Sequence, residues 1–399
     1  MNKIVEAQRL SLNTLIRAQA RELTEQLSHH RLSVFPPTAA KTFRRLTPAE
    51  AIRFLGVTES YLRQVASEIY GPTEPGQSRR SYTLEDLAQL RREMDARGRT
   101  PGKYLPTRRE GEHLQCISIM NFKGGSAKTT TAANLSQYLA LHGYRTLAID
   151  LDPQASLTTL FGIAPEAGVK PSESLYGAIR YEDSVPIRAV IRRTYIPWLD
   201  IIPGALELME FEHETPRALM SSKRSRDTFF DRIACALSEV EPDYDIVVID
   251  CPPQLGYLSL SALIASTSLL VTVHPQMLDV MSMNQFLTML ADLLDVVVRA
   301  TRSNTIAYDW LNYLITRFEP TDGPQTQMAA FLRTFFGRFV LQNPTLKSTA
   351  ISDAGLTSQT IYEVDRTMFT RSTYDRALES VNAVNAEILE SIRAAWGRQ

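Results

Sequence analysis

Cysteine is scarce in this chain of 399 residues, with only Cys116, Cys235 and Cys251. None has a CxxC neighbour and no pair stands at zinc-ligand spacing, so there is no basis for a disulfide framework or a cysteine-held metal. Three reduced thiols in a cytosolic protein fit the pattern. Long apolar runs are wanting as well: none approaches about 18–20 residues, so no membrane span is expected. The first residues, MNKIVEAQRLSLNTLIRAQ, mix charge into their apolar positions, unlike a secretory leader. Net charge is nearly nil, at −1, so no global field recruits nucleic acid or membrane. Repeats and low-complexity tracts are lacking too. What is there is an ordinary globular balance, 44% hydrophobic and 22% charged residues.

Three regions separate along the chain. Residues 1–45 carry Ile4, Leu10, Leu12, Leu15, Ile16, Leu23 and Leu27 at roughly helical spacing before Pro36-Pro37 breaks the run. They read as a helical arm and a candidate dimerisation element. Residues 46–109 form a small second unit. Thr47-Pro48-Ala49-Glu50 has the form of a capped helix start, and Gly56 ends that helix. A second helix is expected over 61–69 and a third over 84–97, with a Gly/Pro-rich hairpin-like stretch at 71–76 between them. Residues 110–399 alternate helices with apolar strand-like runs at 116–120, 146–151, 199–202, 244–249, 268–273, 311–315 and 338–341. Near-continuous Val/Ile/Leu strands between helices predict an α/β fold, a mostly parallel sheet covered on both faces.

The first of these strands runs into Lys123-Gly124-Gly125-Ser126-Ala127-Lys128-Thr129-Thr130, and a helix follows. Strand, glycine loop, Lys-Thr and helix form the context of a phosphate-binding loop. Glycines let backbone N–H groups turn onto phosphate oxygens, and the helix N-terminus adds partial positive charge. Lys128 is placed to reach the β- and γ-phosphates and the Thr129 hydroxyl to ligate Mg²⁺. The usual GxxxxGK[ST] pattern is not met; the sequence fits a deviant form with the extra Lys123. Two later strands end in acids, at Asp150-Leu151-Asp152 and at Asp250-Cys251-Pro252-Pro253. Ligands of open α/β sheets bind outside the carboxyl ends of strands, so these motifs can share one crevice. Asp250 suits the metal or its water shell, Asp152 the attacking water, and Asp150 support of the metal shell. Pro253 joins the candidate nucleotide contacts.

With those residues in hand, 115–375 resembles the ParA family of Walker-type partition ATPases, in the wider group that includes the MinD proteins. KGGSAKTTTAANLS, LAIDLDPQASLT and VVIDCPPQLG carry the resemblance. It implies that Lys123 crosses a homodimer interface to the partner subunit's phosphates. It implies ATP and ADP with Mg²⁺ as ligands, and slow hydrolysis stimulated by a ParB-type centromere-binding protein. Asp152 matches the family's water-activating residue. Ala127 departs from the family, where most members carry glycine.

The length fits the larger members, which carry an N-terminal DNA-binding region. Residues 46–95 resemble a MerR-like winged helix-turn-helix, whose second helix enters the major groove. Thr58, Ser60, Tyr61, Arg63 and Gln64 are then the candidate groove-facing residues, with Arg79 and Arg80 on the wing against phosphates. From Lys41 to Arg109 there are 14 Lys/Arg against 8 Asp/Glu, a local excess in a nearly neutral chain. Non-specific DNA contact through the C-terminal part is a further implication of the family, with Lys347, Arg366 and Arg371 as candidates. The expected function is plasmid partition in the cytoplasm, on the nucleoid, with the N-terminal unit repressing its own operon. A regulator without ATP turnover and a MinD-like membrane ATPase are the rivals. The second needs a basic amphipathic tail, and Ala386–Arg393 carries two acids.

Overall fold

A computed structural model describes residues 11–34, 41–72, 80–100, 102–220, 229–301 and 307–398. The chain divides into two units, Met1–Thr42 and Phe43–Gln399. The first contains helix α1, Leu12–Val34. Its Leu12, Leu15, Ile16 and Leu23 are exposed, an apolar stripe at helical spacing.

The second unit is built on a seven-stranded sheet. Its strands are β1 (Gln115–Met120), β2 (Thr146–Asp150), β3 (Arg192–Arg193), β4 (Leu199–Ile202), β5 (Ile246–Asp250), β6 (Ser268–Val273) and β7 (Trp310–Ile315), in the order β3-β4-β2-β5-β1-β6-β7. All pairings are parallel except β3 with β4. The longer strands feed alternate side chains to two apolar layers. Ile117, Ile119, Ala148, Val248 and Leu270 enter one; Cys116, Leu147, Ile149, Val247 and Val271 enter the other. Complete burial of each such aliphatic side chain contributes about 1.5–3 kcal/mol, which fixes the register of these strands. The expected mostly parallel α/β architecture is the one observed.

Two strand assignments differ. Residues 338–341 do not form a strand. Gly337, with φ 54°, ends the helix Gly323–Phe336 and opens a 3₁₀ turn to Phe339, and Val340 alone bridges to Tyr313. Conversely β3 has only two residues, both arginines, too short and too polar to show in any period. A third difference concerns the helix Met277–Thr301. Within it Met277–Arg299 is long and apolar enough, by length and composition, to cross a membrane. Asp292 and Asp295 interrupt the run in sequence, but they lie on its exposed side while Met283, Phe286, Leu290 and Val297 pack inward.

Helices α2 (Pro48–Leu55), α3 (Glu59–Tyr70) and α4 (Leu84–Arg97) follow their sequence signals. The Thr47 hydroxyl accepts from Glu50 N and the Glu50 carboxylate accepts from Thr47 N; Thr83 and Asp86 repeat the arrangement. Gly56 caps α2 in the left-handed region, φ 65°. No break in packing falls at 109/110. The buried Arg91 of α4 donates to Phe54 O (2.7 Å), Tyr104 O (2.8 Å) and Leu141 O (2.8 Å), and Arg108 N donates to Asp245 Oδ1 at 2.8 Å. The three helices and their linker are thereby part of the larger unit.

Candidate nucleotide site

The loop after β1 is held from below. Asn121 is buried; its amide donates to Thr272 O on β6 and its Oδ1 accepts from Lys123 N at 2.9 Å. The Thr316 hydroxyl donates to Ser126 O at 3.0 Å, and the Thr272 hydroxyl to Ser126 Oγ at 3.1 Å. Arg317, just past β7, donates to Gly125 O at 3.2 Å. Three neighbouring strands therefore set one loop. Gly125 has φ 78° and Ala127 φ 67°, both left-handed, and helix α5 (Lys128–Leu141) starts at once. Positive φ at 127 is the physical reason glycine suits that position, and the alanine accepts a strain of about 1–2 kcal/mol.

Lys128 is nearly buried at the start of α5, and its Nζ donates to Lys123 O at 3.3 Å. Burial lowers its pKa, opposed by the charges of Asp250 and Asp152. Asp250 ends β5 and is wholly buried; neither carboxylate oxygen makes a well-formed hydrogen bond, and the Thr129 hydroxyl beside it works to lower its pKa. Burial raises its pKa well above the usual carboxylate range, and the neighbouring Asp150 charge adds to this. An unsatisfied buried carboxylate beside Lys128 and Thr129 is what a hard cation with oxygen ligands fits.

Asp150 differs. Its Oδ2 accepts from Thr158 N (2.8 Å) and Thr158 Oγ1 (2.7 Å), and its Oδ1 from Asp152 N at 3.2 Å. Through those donors Asp150 shapes the turn carrying Asp152. A Cβ at Gly204 would lie 2.8 Å from Asp150 Cγ, so only glycine fits there. Asp152 is partly exposed, and its Oδ1 accepts from Gln154 N at 2.9 Å.

A cavity of about 700 Å³ opens over the loop. Gly124, Gly125, Ala127, Lys128, Thr129, Thr130, Asp152 and Pro253 line it. Sequence reasoning missed its far wall, formed by Arg317, Thr345, Ser348, Ile351 and Asn385. Arg317 alone had a signal, since it follows a strand's carboxyl end; the others come from irregular chain and helices.

The candidate DNA residues are placed as follows. Thr58, Ser60, Arg63 and Gln64 are exposed at the start of α3. The Thr58 hydroxyl caps the helix, Arg63 pairs with Glu59 (2.9 Å) and Gln64 donates to Glu68 (3.2 Å). Tyr61 is half-buried, its ring 6.3 Å from that of Tyr104. Arg80 donates to Ala66 O (2.9 Å) and Gly71 O (2.8 Å), closing the end of α3. These bonds anchor the Arg80 guanidinium at the end of the helix. Arg79 and the stretch 73–79 lie outside the described residues. Lys347 lines the nucleotide cavity and pairs with Glu319 at 2.9 Å. Arg366 and Arg371 share Asp375, at 2.6 and 3.5 Å.

Fold and loop together define a P-loop nucleoside-triphosphatase of the ParA/MinD-like class. Residues 114–301 match the AAA domain family model. The protein named replication protein A in Rhizobium rhizogenes is 59% identical over 98% of this chain and 96% of its own. The chromosome partitioning protein ParA of Caulobacter vibrioides is 30% identical over 60% of this chain and 84% of its own. A solved partition protein superposes with a TM-score of 0.63 at 15% identity, over 96% of this chain and 99% of that one, a likeness of fold. The chain belongs to the ParA family of Walker-type partition ATPases.

Proposed function

We propose that the chain is a plasmid-partition ATPase that works as a homodimer. The observation that carries this is the buried, unpartnered carboxylate of Asp250 beside Lys128, below a cavity lined by Thr129 and Asp152. The Thr129 hydroxyl and Asp250 would hold Mg²⁺, which supplies charge neutralisation across the β- and γ-phosphates. Lys128 and the amides of 124–130 bind phosphate oxygens. Asp152, at the cavity wall, orients the water that attacks the γ-phosphorus. Lys123 reaches the second subunit's phosphates, which makes the dimer the working unit. A ParB-type centromere-binding protein stimulates turnover, and loss of the γ-phosphate ends the DNA-bound state. Helices α2–α4 read operator DNA through the exposed start of α3, repressing the operon, while the ATPase part holds nucleoid DNA without sequence preference.

Lys128→Ala and Asp152→Ala test this reading, scored for ATP turnover and plasmid loss. Lys128→Ala is expected to lose nucleotide binding. Asp152→Ala should bind ATP, fail to hydrolyse it and persist on DNA. Wild-type hydrolysis by Asp152→Ala would overturn its role, and no turnover in the wild type with DNA and its ParB-type partner would favour a plain regulator.

A further inference from the structure

Lys123 does not line the nucleotide cavity, although its neighbours Gly124 and Gly125 do. Its ammonium is bound to Asp279, Nζ to Oδ2 at 2.8 Å. Asp279 stands in the first turn of the helix Met277–Thr301, which follows β6 after a short turn through His274-Pro275-Gln276. Its backbone N–H donates to Gln276 O at 3.0 Å, which fixes the turn.

The two halves of the pair are unequal. The Lys123 side chain is 40% exposed and that of Asp279 only 8%. A carboxylate in the first helical turn is stabilised where it stands, by the partial positive charge of the helix end. Lys123 has a long flexible stem and a loop backbone, so it is the half that can move. Among the described residues no other side chain makes a hydrogen bond or ion pair to Asp279. Departure of the lysine leaves a nearly buried carboxylate without a counter-charge, an outcome that costs more than the surface value of an ion pair.

We propose that Asp279 is a positioning residue that latches Lys123 inside its own subunit and so sets the threshold for dimerisation. The proposal rests on the reading of Lys123 as the lysine that meets the second subunit's phosphates. One ammonium cannot serve Asp279 and a phosphate 
group of another subunit at once. Transfer is favourable only when the phosphates offer more negative charge than the latch does. A triphosphate meets that condition better than a diphosphate, so the latch sharpens the difference between the two nucleotide states. Without it, Lys123 would be available to any anion and the dimer would form with less discrimination.

The test is sedimentation equilibrium of the full chain with Mg²⁺ and either a non-hydrolysable ATP analogue or ADP. Wild type is compared with Asp279→Asn, Lys123→Gln and the double variant. Asp279→Asn is expected to lower the dimer Kd with the analogue by about tenfold or more, and to give measurable dimer with ADP. Lys123→Gln should weaken the dimer, and Asp279→Asn should give no gain in that background. If Lys123→Gln weakens the dimer while Asp279→Asn leaves it unchanged or weaker, the latch is wrong and the reading of Lys123 stands. A Lys123→Gln protein that dimerises like wild type would sink that reading and the latch with it. Thermal melting checks the fold of each variant. Asp279→Ser, with the same expected outcomes, replaces Asp279→Asn should the amide disturb the helix start.

Discussion

Asp150 and Asp250 are direct partners in the parallel ladder of β2 and β5, two buried carboxylates side by side at the carboxyl edge of the sheet. Their surroundings divide the work. Asp150 is satisfied by Thr158 and the Asp152 amide, whereas Asp250 has no well-formed hydrogen bond and only the Thr129 hydroxyl beside it. One acid holds the turn that carries Asp152, and the other is left open beside Lys128.

Asp250→Asn should therefore separate stability from function. The folded pKa of Asp250 is raised, so the unfolded chain loses its proton near pH 4 while the folded chain keeps it. Stability from this group falls as pH rises from about 4 toward the folded pKa. The amide removes that burden, and the nucleotide-free protein should gain about 1–3 kcal/mol at neutral pH while ATP turnover is lost. Thermal melts without nucleotide, together with an ATPase assay, check both halves.

Ala127→Gly tests strain in the loop. Alanine at φ 67° costs about 1–2 kcal/mol relative to a relaxed backbone, and glycine avoids that cost. The greater freedom of glycine in the unfolded chain takes back about 0.4–1 kcal/mol. The expected net is a slightly higher melting temperature with nucleotide binding kept. A clear loss of stability would show that the alanine methyl makes a packing contribution larger than its strain.

Arg91→Met tests the attachment of α2–α4. Three carbonyls, at Phe54, Tyr104 and Leu141, lose their donor. An unsatisfied buried acceptor costs about 1–3 kcal/mol, and the three are coupled, so a total of about 3–5 kcal/mol is expected. Hydrogen exchange should rise first in α2, α4 and the end of α5. Gly143→Ala should act on the same joint, because a Cβ there would meet Arg91 Cδ at 2.7 Å and φ is 92°.

His142 gives that joint a pH dependence. Its ring lies against Tyr138 (centroids 4.0 Å) and edge-on to Phe54 (5.5 Å), and burial brings its pKa down to about 4. The unfolded histidine takes up a proton near pH 6.5, where the folded one does not. Stability from this group is complete above about pH 6.5 and is lost as pH falls toward 4. The drop amounts to about 3 kcal/mol at most, and partial exposure of the ring reduces it. His142→Gln should flatten the difference in melting temperature between pH 7 and pH 5.

Much of this was legible in order along the chain. The sheet strands 199–202 and 268–273 and the helix 84–97 coincide with their sequence signals, because burial on both faces and capped helix starts are local patterns. The segment 338–341 misled because four apolar-leaning residues cannot tell a strand from a turn that packs Val340 and Leu341. The helix Met277–Thr301 was undervalued as an apolar run because Asp292 and Asp295 break the count, though these two share its exposed side.

By itself the sequence determined the phosphate loop, the strand-end acids and the alternation that demands a parallel sheet. Each is written in neighbouring residues, where backbone sterics and side-chain period act directly. Tertiary structure alone decided what those residues face. It placed Asp150 beside Asp250, brought Arg317 and Thr345–Ser348 across the cavity, tied Arg91 to Leu141 and set Lys123 against Asp279. The last pair is 156 positions apart in the chain, and only the neighbouring places of β1 and β6 in the sheet bring its halves together.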